Sequence, residues 1–278
     1  MIPPSQTNHL FLSEKIKELQ SFYFELENWI EENRIKVSFL KNTKDIWCRD
    51  YMPVQISENE FVQFKYNPSY LYDYQELKTN PDIVTSELNF LITNSELVVD
   101  GGNIICNHDS VIMTEMVFNE NKKHFSREEV IRLLKQELKI DNLIFIPVES
   151  GDTYGHSDGM LQFVNKLTIV MNEYSKSSKL SKQIETVLGN SNFKIEKIPY
   201  EPSSIRNSFG DYTAHGNYTN YLEIGQHILF PQYGLKSDHK ALNKIQNLLP
   251  EKRISTIDCN QLAEGGGVLN CISWAIKK

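Results

Sequence analysis

The sequence has 278 residues, 40% of them hydrophobic and 23% charged, which is typical of a globular protein with one large core. The formal net charge of -7 and a pI near 5.6 argue against a nucleic-acid-binding protein, which needs a basic face. The first residues hold no basic patch followed by an apolar run, and no apolar stretch is long enough to span a bilayer. We therefore expect a cytoplasmic protein without membrane contact.

The cysteines are few and widely spaced: Cys48, Cys106, Cys259 and Cys271. Without a secretion signal, they are expected to be thiols rather than a disulfide framework. No two of them have the short spacing of a zinc knuckle, so they do not predict a zinc site.

Helices and short strands alternate along the chain. The first predicted element is a helix over residues 13–33, because Ser13 can cap it and apolar residues recur behind it at helical spacing. Further helices are predicted over residues 81–91, after Ser126 with Glu129 at the capping-box position, and over residues 178–188 and 237–249. Short apolar strands are predicted at residues 36–40, 143–146 and 193–198, and hairpins at residues 160–171 and 218–230.

The order strand, strand, helix, strand recurs roughly five times, with a period on the order of 50 residues. Such a period is typical of a propeller-like array, but an ordinary α/β sandwich explains it equally well. No linker rich in Gly, Ser or Pro divides the chain, so we predict one domain over residues 1–278.

Two segments place an aspartate where a strand is expected to turn. Asp50 follows Arg49 between Trp47 and Pro53, where it either forms a structural salt bridge or accepts a forked cation through both oxygens. Asp100 ends an apolar run and precedes two glycines, a pattern that a plain turn also explains.

Two further segments carry a histidine and a cysteine. His156 and Asp158 are two residues apart at the predicted start of a strand, so both side chains should face one cleft. A His-x-Asp pair is also half of a metal site, but the other histidines are scattered and supply no further ligands. Cys271 follows three glycines in an apolar, β-type run, where a cysteine is either a small buried hydrophobe or a nucleophile.

These residue types fit one reaction at a guanidinium group. A guanidinium is planar and forked, so Asp50 and Asp158 can grip its edges through paired hydrogen bonds. Its carbon is a poor electrophile, so attack requires a strong nucleophile such as the thiolate of Cys271. His156 would protonate the departing ammonia and then activate water, and Asp100 would orient the imidazole. Whether Cys271 is ionised before the cation binds stays open.

The four segments, in this order, resemble the agmatine deiminase and bacterial (Porphyromonas-type) peptidylarginine deiminase family of the guanidino-modifying, or pentein, superfamily. The matching motifs are Trp-x-Arg-Asp-x-x-Pro at residues 47–53, an acidic residue before Gly-Gly-Asn at 100–103, Gly-Asp-x-x-Gly-His-x-Asp at 151–158 and Gly-Gly-Gly-x-x-x-Cys at 265–271.

The resemblance implies a pentein fold, an α/β-propeller of five ββαβ modules around a pseudo-fivefold axis. It implies the same roles for the residues named above, with no cofactor and no metal. It also implies that Asn220 lies near the substrate, and Trp47 and Gly267 complete the predicted substrate-binding set. The implied reaction converts agmatine to N-carbamoylputrescine and ammonia through a covalent thiouronium, a step of putrescine and polyamine synthesis. The implied partner is a small cationic guanidine, and a homodimer is expected.

Three departures from the family leave the substrate open. Asp100 stands where glutamate is typical, so either its reach to His156 is less direct or the backbone compensates. Asn270 stands where agmatine deiminases commonly have histidine. The chain is also shorter than typical agmatine deiminases, so loops that close the pocket are expected to be missing, which would suit a larger guanidine such as a peptide.

The alternatives are peptidylarginine deimination, amidino transfer to an amine, and a pentein scaffold without activity. Free arginine is disfavoured, because its carboxylate asks for arginines near the pocket and only Arg49 and Arg206 are candidates.

Overall fold

The computed structural model describes residues 1–278 and contains five three-stranded sheets. Their strands in chain order are β1 His9–Ser13, β2 Val37–Leu40, β3 Val54–Gln55, β4 Glu60–Lys65, β5 Leu91–Val98, β6 Ile105–Cys106, β7 Ser110–Thr114, β8 Asn142–Ile146, β9 Leu161–Phe163, β10 Thr168–Asn172, β11 Lys194–Ile198, β12 Leu222–Ile224, β13 His227–Gln232, β14 Arg253–Asp258 and β15 Trp274–Ile276.

Eight α-helices and several 3₁₀ turns connect the strands. The helices are α1 Gln20–Glu32, α2 Cys48–Tyr51, α3 Pro81–Thr85, α4 Met116–Asn121, α5 Arg127–Leu138, α6 Lys179–Asn190, α7 Ser237–Leu248 and α8 Asn260–Ala263. None of them is both long and apolar enough to cross a membrane.

Every sheet has the same internal plan. Its middle strand (β1, β4, β7, β10 or β13) runs antiparallel to one neighbour and parallel to the other. At least one helix lies between the two parallel strands, as the long crossover of a parallel pair requires. The last strand, β15, pairs with β1, so the two ends of the chain complete one sheet. The structure therefore has the predicted five ββαβ modules, and the sandwich alternative is wrong.

One predicted helix start is confirmed by its capping box, while two other predicted helices are shorter in the structure. Ser126 and Glu129 form the predicted capping box at the start of α5. Ser13 instead caps a 3₁₀ turn, Glu14–Glu18, and the α-helix begins only at Gln20 because Leu19 has a ψ of 67°, outside the helical region. The helix predicted over residues 81–91 ends at Thr85, and residue 91 already begins β5.

The apolar core lies between neighbouring modules rather than inside each one. In one cluster, Phe64 of β4 and Val111 of β7 pack with Leu134 of α5, so two sheets share one helix. In the largest cluster, Leu10 of β1 packs with residues of β13 and α7, including Ile228. Because each module completes its neighbour's core, burial of these side chains holds the array together.

The links between consecutive modules carry all the predicted polar site residues. We call these links the five connections: residues 41–53, 99–104, 147–160, 199–221 and 259–273. In that order they contain Asp50, then Asp100, then His156 with Asp158, then Asn220, and finally Cys271. Each module thus contributes one link to a single site.

Candidate active site

Hydrogen bonds join the five connections into a closed ring. The amide N–H of Gly102 donates to Asp50 Oδ1 at 3.0 Å, which ties the second connection to the first. His156 Nε2 lies 3.1 Å from Asp100 Oδ2 and ties the third to the second. Asn220 Nδ2 donates to the backbone oxygen of Asp158 at 3.3 Å, which ties the fourth to the third.

The fifth connection closes the ring. Asn220 Oδ1 accepts from the amide N–H groups of Asn270, at 3.1 Å, and Cys271, at 3.3 Å. Arg49 Nη2 donates to Asn270 Oδ1 at 3.2 Å, and the N–H of Arg49 donates to the carbonyl of Cys271 at 3.0 Å. Since every neighbouring pair of connections is bonded, the positions of the site residues depend on one another.

Cys271 lies in a turn ahead of β15, so the predicted β-type run is wrong at this position. A separate turn precedes it in the same connection, where Gly266 has a φ of +92°, a conformation that favours glycine. The sulfur lies 3.4 Å from Asn220 Oδ1 and 3.7 Å from Asp158 Oδ2. Cys271 is therefore neither sealed in the core nor fully exposed.

His156 lies between two carboxylates. In addition to the Asp100 contact, its Nδ1 lies 3.6 Å from Asp50 Oδ1. The shorter Asp100 therefore does reach the imidazole directly. The predicted extended geometry of His156 and Asp158 is wrong, because residues 157–159 form a 3₁₀ turn and the strand begins at Leu161.

Asp158 is held by the side chain of Asn270, the residue that stands where agmatine deiminases commonly have histidine. Asn270 Nδ2 donates to Asp158 Oδ2 at 2.7 Å, while Asn270 Oδ1 accepts from Arg49. The Asn270 amide thus bridges the Arg49 guanidinium and the Asp158 carboxylate, which are not bonded to each other. Arg49 does not pair with Asp50, so the alternative of a salt bridge within the Trp47–Pro53 segment is wrong.

Two glycines allow the connections to approach this closely. A Cβ atom on Gly102 would lie 2.6 Å from Asp50 Oδ1 and 2.7 Å from His156 Nδ1. A Cβ atom on Gly267 would lie 2.5 Å from the ring of Trp47. The predicted residues Trp47 and Gly267 are therefore in van der Waals contact beside Cys271.

Burial and like charge favour the protonated forms in the empty site. Burial raises the pKa of Asp50 to about 8 against the opposing effect of the His156 cation, and burial also raises the pKa of Asp158. For His156, burial lowers the pKa, but Asp50 and Asp100 outweigh it and raise the pKa to about 10. Burial, then Asp158 and Asp50, raise the pKa of the Cys271 thiol well above its usual value. Before a ligand binds, the site holds a thiol and an imidazolium.

Two cavities meet at Cys271. The aromatic cavity, about 340 Å³, is lined by Trp47, Tyr66, Tyr70, Tyr74, Tyr154 and Phe209 among others. The polar cavity, about 360 Å³, is lined by residues that include Glu149, Asp152, Asp158 and Asp211. No lysine or arginine lines either cavity, so both favour a cationic or neutral ligand over an anionic one.

Three lining residues escaped prediction from the sequence. Tyr70 donates to Asp100 Oδ2 at 2.7 Å, and Tyr154 donates to Asp211 Oδ2 at 2.9 Å. Asp211 also accepts from Thr153 at 2.5 Å and borders both cavities. Tyr154 lies inside a recognised motif, which was a usable signal, whereas Tyr70 and Asp211 lie in irregular segments without a pattern.

Comparison with known proteins supports the resemblance of the motifs. An agmatine deiminase of C. jejuni has a TM-score of 0.83 at 20% identity, with 100% of this chain and 95% of that chain covered, which shows the shared fold. A Pectobacterium atrosepticum protein is 23% identical over 272 residues, covering 84% of this chain and 74% of its own. A Lactococcus lactis protein is 24% identical over 208 residues, with 64% and 57% covered. Both bear a provisional name as agmatine deiminases.

The pentein fold predicted from the motifs is thereby confirmed. The chain spans about three quarters of the first of these two relatives and just over half of the second. The model of the Porphyromonas-type peptidyl-arginine deiminase family matches residues 5–276, almost the full length of the sequence. The chain belongs to the Porphyromonas-type peptidyl-arginine deiminase family.

Proposed function

We propose that this protein is a cysteine hydrolase that deiminates a guanidine, with agmatine as the substrate and N-carbamoylputrescine and ammonia as products. One observation carries the proposal. A thiol, an imidazole between two carboxylates, and a third carboxylate within 3.7 Å of the sulfur surround one junction of two cavities. That set matches what attack on a guanidinium carbon requires.

In the first half-reaction, Asp50 and Asp158 hold the N–H groups of the guanidinium so that its carbon faces Cys271. When the guanidinium binds, the Cys271 thiol loses its proton to solvent, because His156 is already charged. The thiolate sulfur then forms a bond to this carbon, and the C=N electrons move to nitrogen to give a tetrahedral adduct. His156, charged before binding, donates its proton to the departing nitrogen, and the C–N bond breaks to release ammonia. The product of this half-reaction is a Cys271 thiouronium.

In the second half-reaction, neutral His156 takes a proton from water as the water oxygen bonds to the thiouronium carbon. The added hydroxyl then gives its remaining proton to solvent as the C=O bond forms, and the C–S bond breaks, which returns the thiolate and releases the ureido product. Asp100 holds the Nε2 side of the ring throughout, at 3.1 Å, and stabilises the charged imidazole each time it forms.

Ionisation of Cys271 is coupled to substrate binding in this mechanism. The thiol pKa is raised in the empty site by burial and by Asp158 and Asp50. A bound guanidinium places a positive charge beside the sulfur and neutralises those carboxylates, so it lowers the pKa of the thiol. The nucleophile therefore forms where its target is already bound.

The lining of the cavities supports agmatine over free arginine. Arginine carries a carboxylate, and no lysine or arginine borders either cavity to bind it. Arg206 stacks on Tyr212 at 4.0 Å, and Arg49 is bonded to Asn270. Agmatine ends in an ammonium group, which the carboxylate of Asp211 suits.

Peptidylarginine is the second candidate, because the matching family is described by that activity. The decisive experiment measures ammonia and ureido product from agmatine, arginine, methylarginines and an arginine-containing peptide, with Cys271→Ala alongside. Agmatine should give the highest kcat/KM, and Cys271→Ala should give no turnover. Faster turnover of the peptide than of agmatine would make peptidylarginine the substrate. Formation of a guanidinylated amine would indicate amidino transfer. Activity in Cys271→Ala would refute the mechanism. If no guanidine is turned over, the scaffold alternative is favoured.

The single catalytic domain over residues 1–278, the cytoplasmic location and the homodimer stay predictions.

A further inference from the structure

The hydroxyl of Tyr70 bonds to Asp100, while its ring lies edge-on to the ring of His156, with centroids 6.4 Å apart. It lies in a 3₁₀ turn, Ser69–Leu71, between β4 and α3. Its hydroxyl donates to Asp100 Oδ2 at 2.7 Å, and the same oxygen lies 3.1 Å from His156 Nε2. The other oxygen, Asp100 Oδ1, is buried and has no hydrogen-bond partner.

This one-sided bonding determines how the carboxylate is held. Because Oδ1 has no partner, no hydrogen bond on that side fixes the carboxylate, and the Tyr70 hydroxyl is the one side-chain donor to Asp100 besides the imidazole. Two donors on one oxygen fix the direction in which that oxygen points.

We propose that Tyr70 is a positioning residue, which holds Asp100 in the orientation that keeps His156 ready for proton transfer. This inference rests on the proposed function, because it assigns Tyr70 a part in the proton transfers made by His156. It also accounts for how a short aspartate orients the imidazole.

A second contact anchors the turn that carries Tyr70. The N–H and the Oγ of Ser69 both donate to the carboxylate of Glu120 on α4, at 2.9 and 2.6 Å. The Tyr70 ring packs edge-on against Tyr154, with ring centroids 4.9 Å apart. The backbone next to Tyr70 and its ring are thus held independently of the hydroxyl, so removing only the hydroxyl should leave the turn in place.

The matched test compares Tyr70→Phe with Tyr72→Phe. Both remove one hydroxyl from the same segment, but the side chain of Tyr72 is 78% exposed and borders neither cavity. Tyr70→Phe should lower kcat for agmatine by about tenfold to a hundredfold, as expected for loss of a hydrogen bond to a charged group, with little change in KM. Tyr72→Phe should keep wild-type kcat and KM.

The pH dependence separates a positioning role from a packing role. Burial lowers the pKa of His156, but Asp50, Asp100 and Asp158 all raise it. Without the Tyr70 hydroxyl, Asp100 Oδ2 has the imidazole as its one remaining side-chain donor and accepts more strongly from it, so His156 keeps its proton to higher pH while Asp50 and Asp158 are unchanged. The alkaline limb of the kcat/KM profile should therefore move to higher pH in Tyr70→Phe. The NMR titration of the His156 ring should move in the same direction, and this measurement does not depend on turnover.

The double variant with Asp100→Asn gives the final test. If Tyr70 acts through Asp100, adding Tyr70→Phe to Asp100→Asn should cost much less activity than it costs the wild type. Equal losses in both backgrounds, or an unchanged His156 titration in Tyr70→Phe, would overturn the proposal. Absence of wild-type turnover on any guanidine would instead count against the proposed function, and the His156 titration would still test Tyr70.

Discussion

Replacing Gly102 with alanine tests whether the close approach of the connections is required for activity. The added Cβ would lie 2.6 Å from Asp50 Oδ1 and 2.7 Å from His156 Nδ1, well inside van der Waals contact. The φ angle of Gly102 is not in the left-handed region, so an alanine meets no backbone strain there. The effect of Gly102→Ala is therefore steric and falls on two side chains of the site.

The size of the effect follows from that overlap. Overpacking a filled interior costs about 1–3 kcal/mol of the free energy of unfolding. A shift of about 1 Å in catalytic groups lowers activity by roughly a hundredfold. We therefore expect Gly102→Ala to lose about 1–3 kcal/mol of stability and about a hundredfold in kcat/KM for agmatine.

Gly189→Ala is the matched control. Gly189 lies in α6, and a Cβ atom there would meet no atom within 4 Å. Alanine in this position should stabilise the fold by about 0.5–1 kcal/mol and leave kcat/KM unchanged. Urea denaturation followed by circular dichroism measures stability, and ammonia release measures activity. Wild-type kcat/KM in Gly102→Ala would refute the reasoning, because Asp50 and His156 would then tolerate displacement.

Three further predictions follow from the charged groups of the structure. Asp211→Asn should raise KM for agmatine about tenfold but leave KM unchanged for butylguanidine, which lacks the ammonium group. Equal changes in KM for both substrates would show that Asp211 does not bind the ammonium group. Lys252→Met should cost about 3–5 kcal/mol in urea denaturation, because it leaves the buried carboxylate of Glu223 unpaired. The exposed pair of Lys166 and Asp109 supplies the control. Lys166→Met should leave the midpoint of urea denaturation almost unchanged, and similar losses in both variants would refute the distinction. Cys271 should react slowly with neutral iodoacetamide at pH 7 and faster as the pH rises, whereas a cationic chloroacetamidine should label it readily at pH 7. Equal labelling rates for the two reagents at pH 7 would contradict a raised thiol pKa.

The chemistry of the site could be predicted from the sequence because it lies in short local motifs. Asp50, Asp100, His156 and Cys271 each stand beside residues that make a turn or a close approach necessary. Their placement in one site follows from topology, because each connection between modules ends at the same ring. The repeated order of elements left a propeller and a sandwich equally open, and only the resemblance of the four motifs predicted the pentein fold.

The contacts between distant, irregular segments could not be predicted. Tyr70 and Asp100 are 30 residues apart, and no periodic pattern marks the turn that holds Tyr70. Turn conformation also escaped prediction. The apolar residues around Cys271 suggested a strand, but the N–H groups of Asn270 and Cys271 donate to Asn220 Oδ1 and hold this segment as a turn. In both places tertiary contacts decide the local structure, and the local sequence does not encode them.

The charges of the ring explain why a cation is the natural ligand. Asp50, Asp100 and Asp158 lie close enough to act on one another, and burial makes their negative charge costly. The protein's own guanidinium does not neutralise them, because Arg49 bonds to Asn270 rather than to a carboxylate. His156 offsets part of this charge by staying protonated, with Asp50 and Asp100 on its two nitrogens. A substrate guanidinium supplies the remaining positive charge beside Cys271, where the thiol needs it to ionise. The carboxylates that raise the thiol pKa on their own therefore favour binding and attack once the cation is bound.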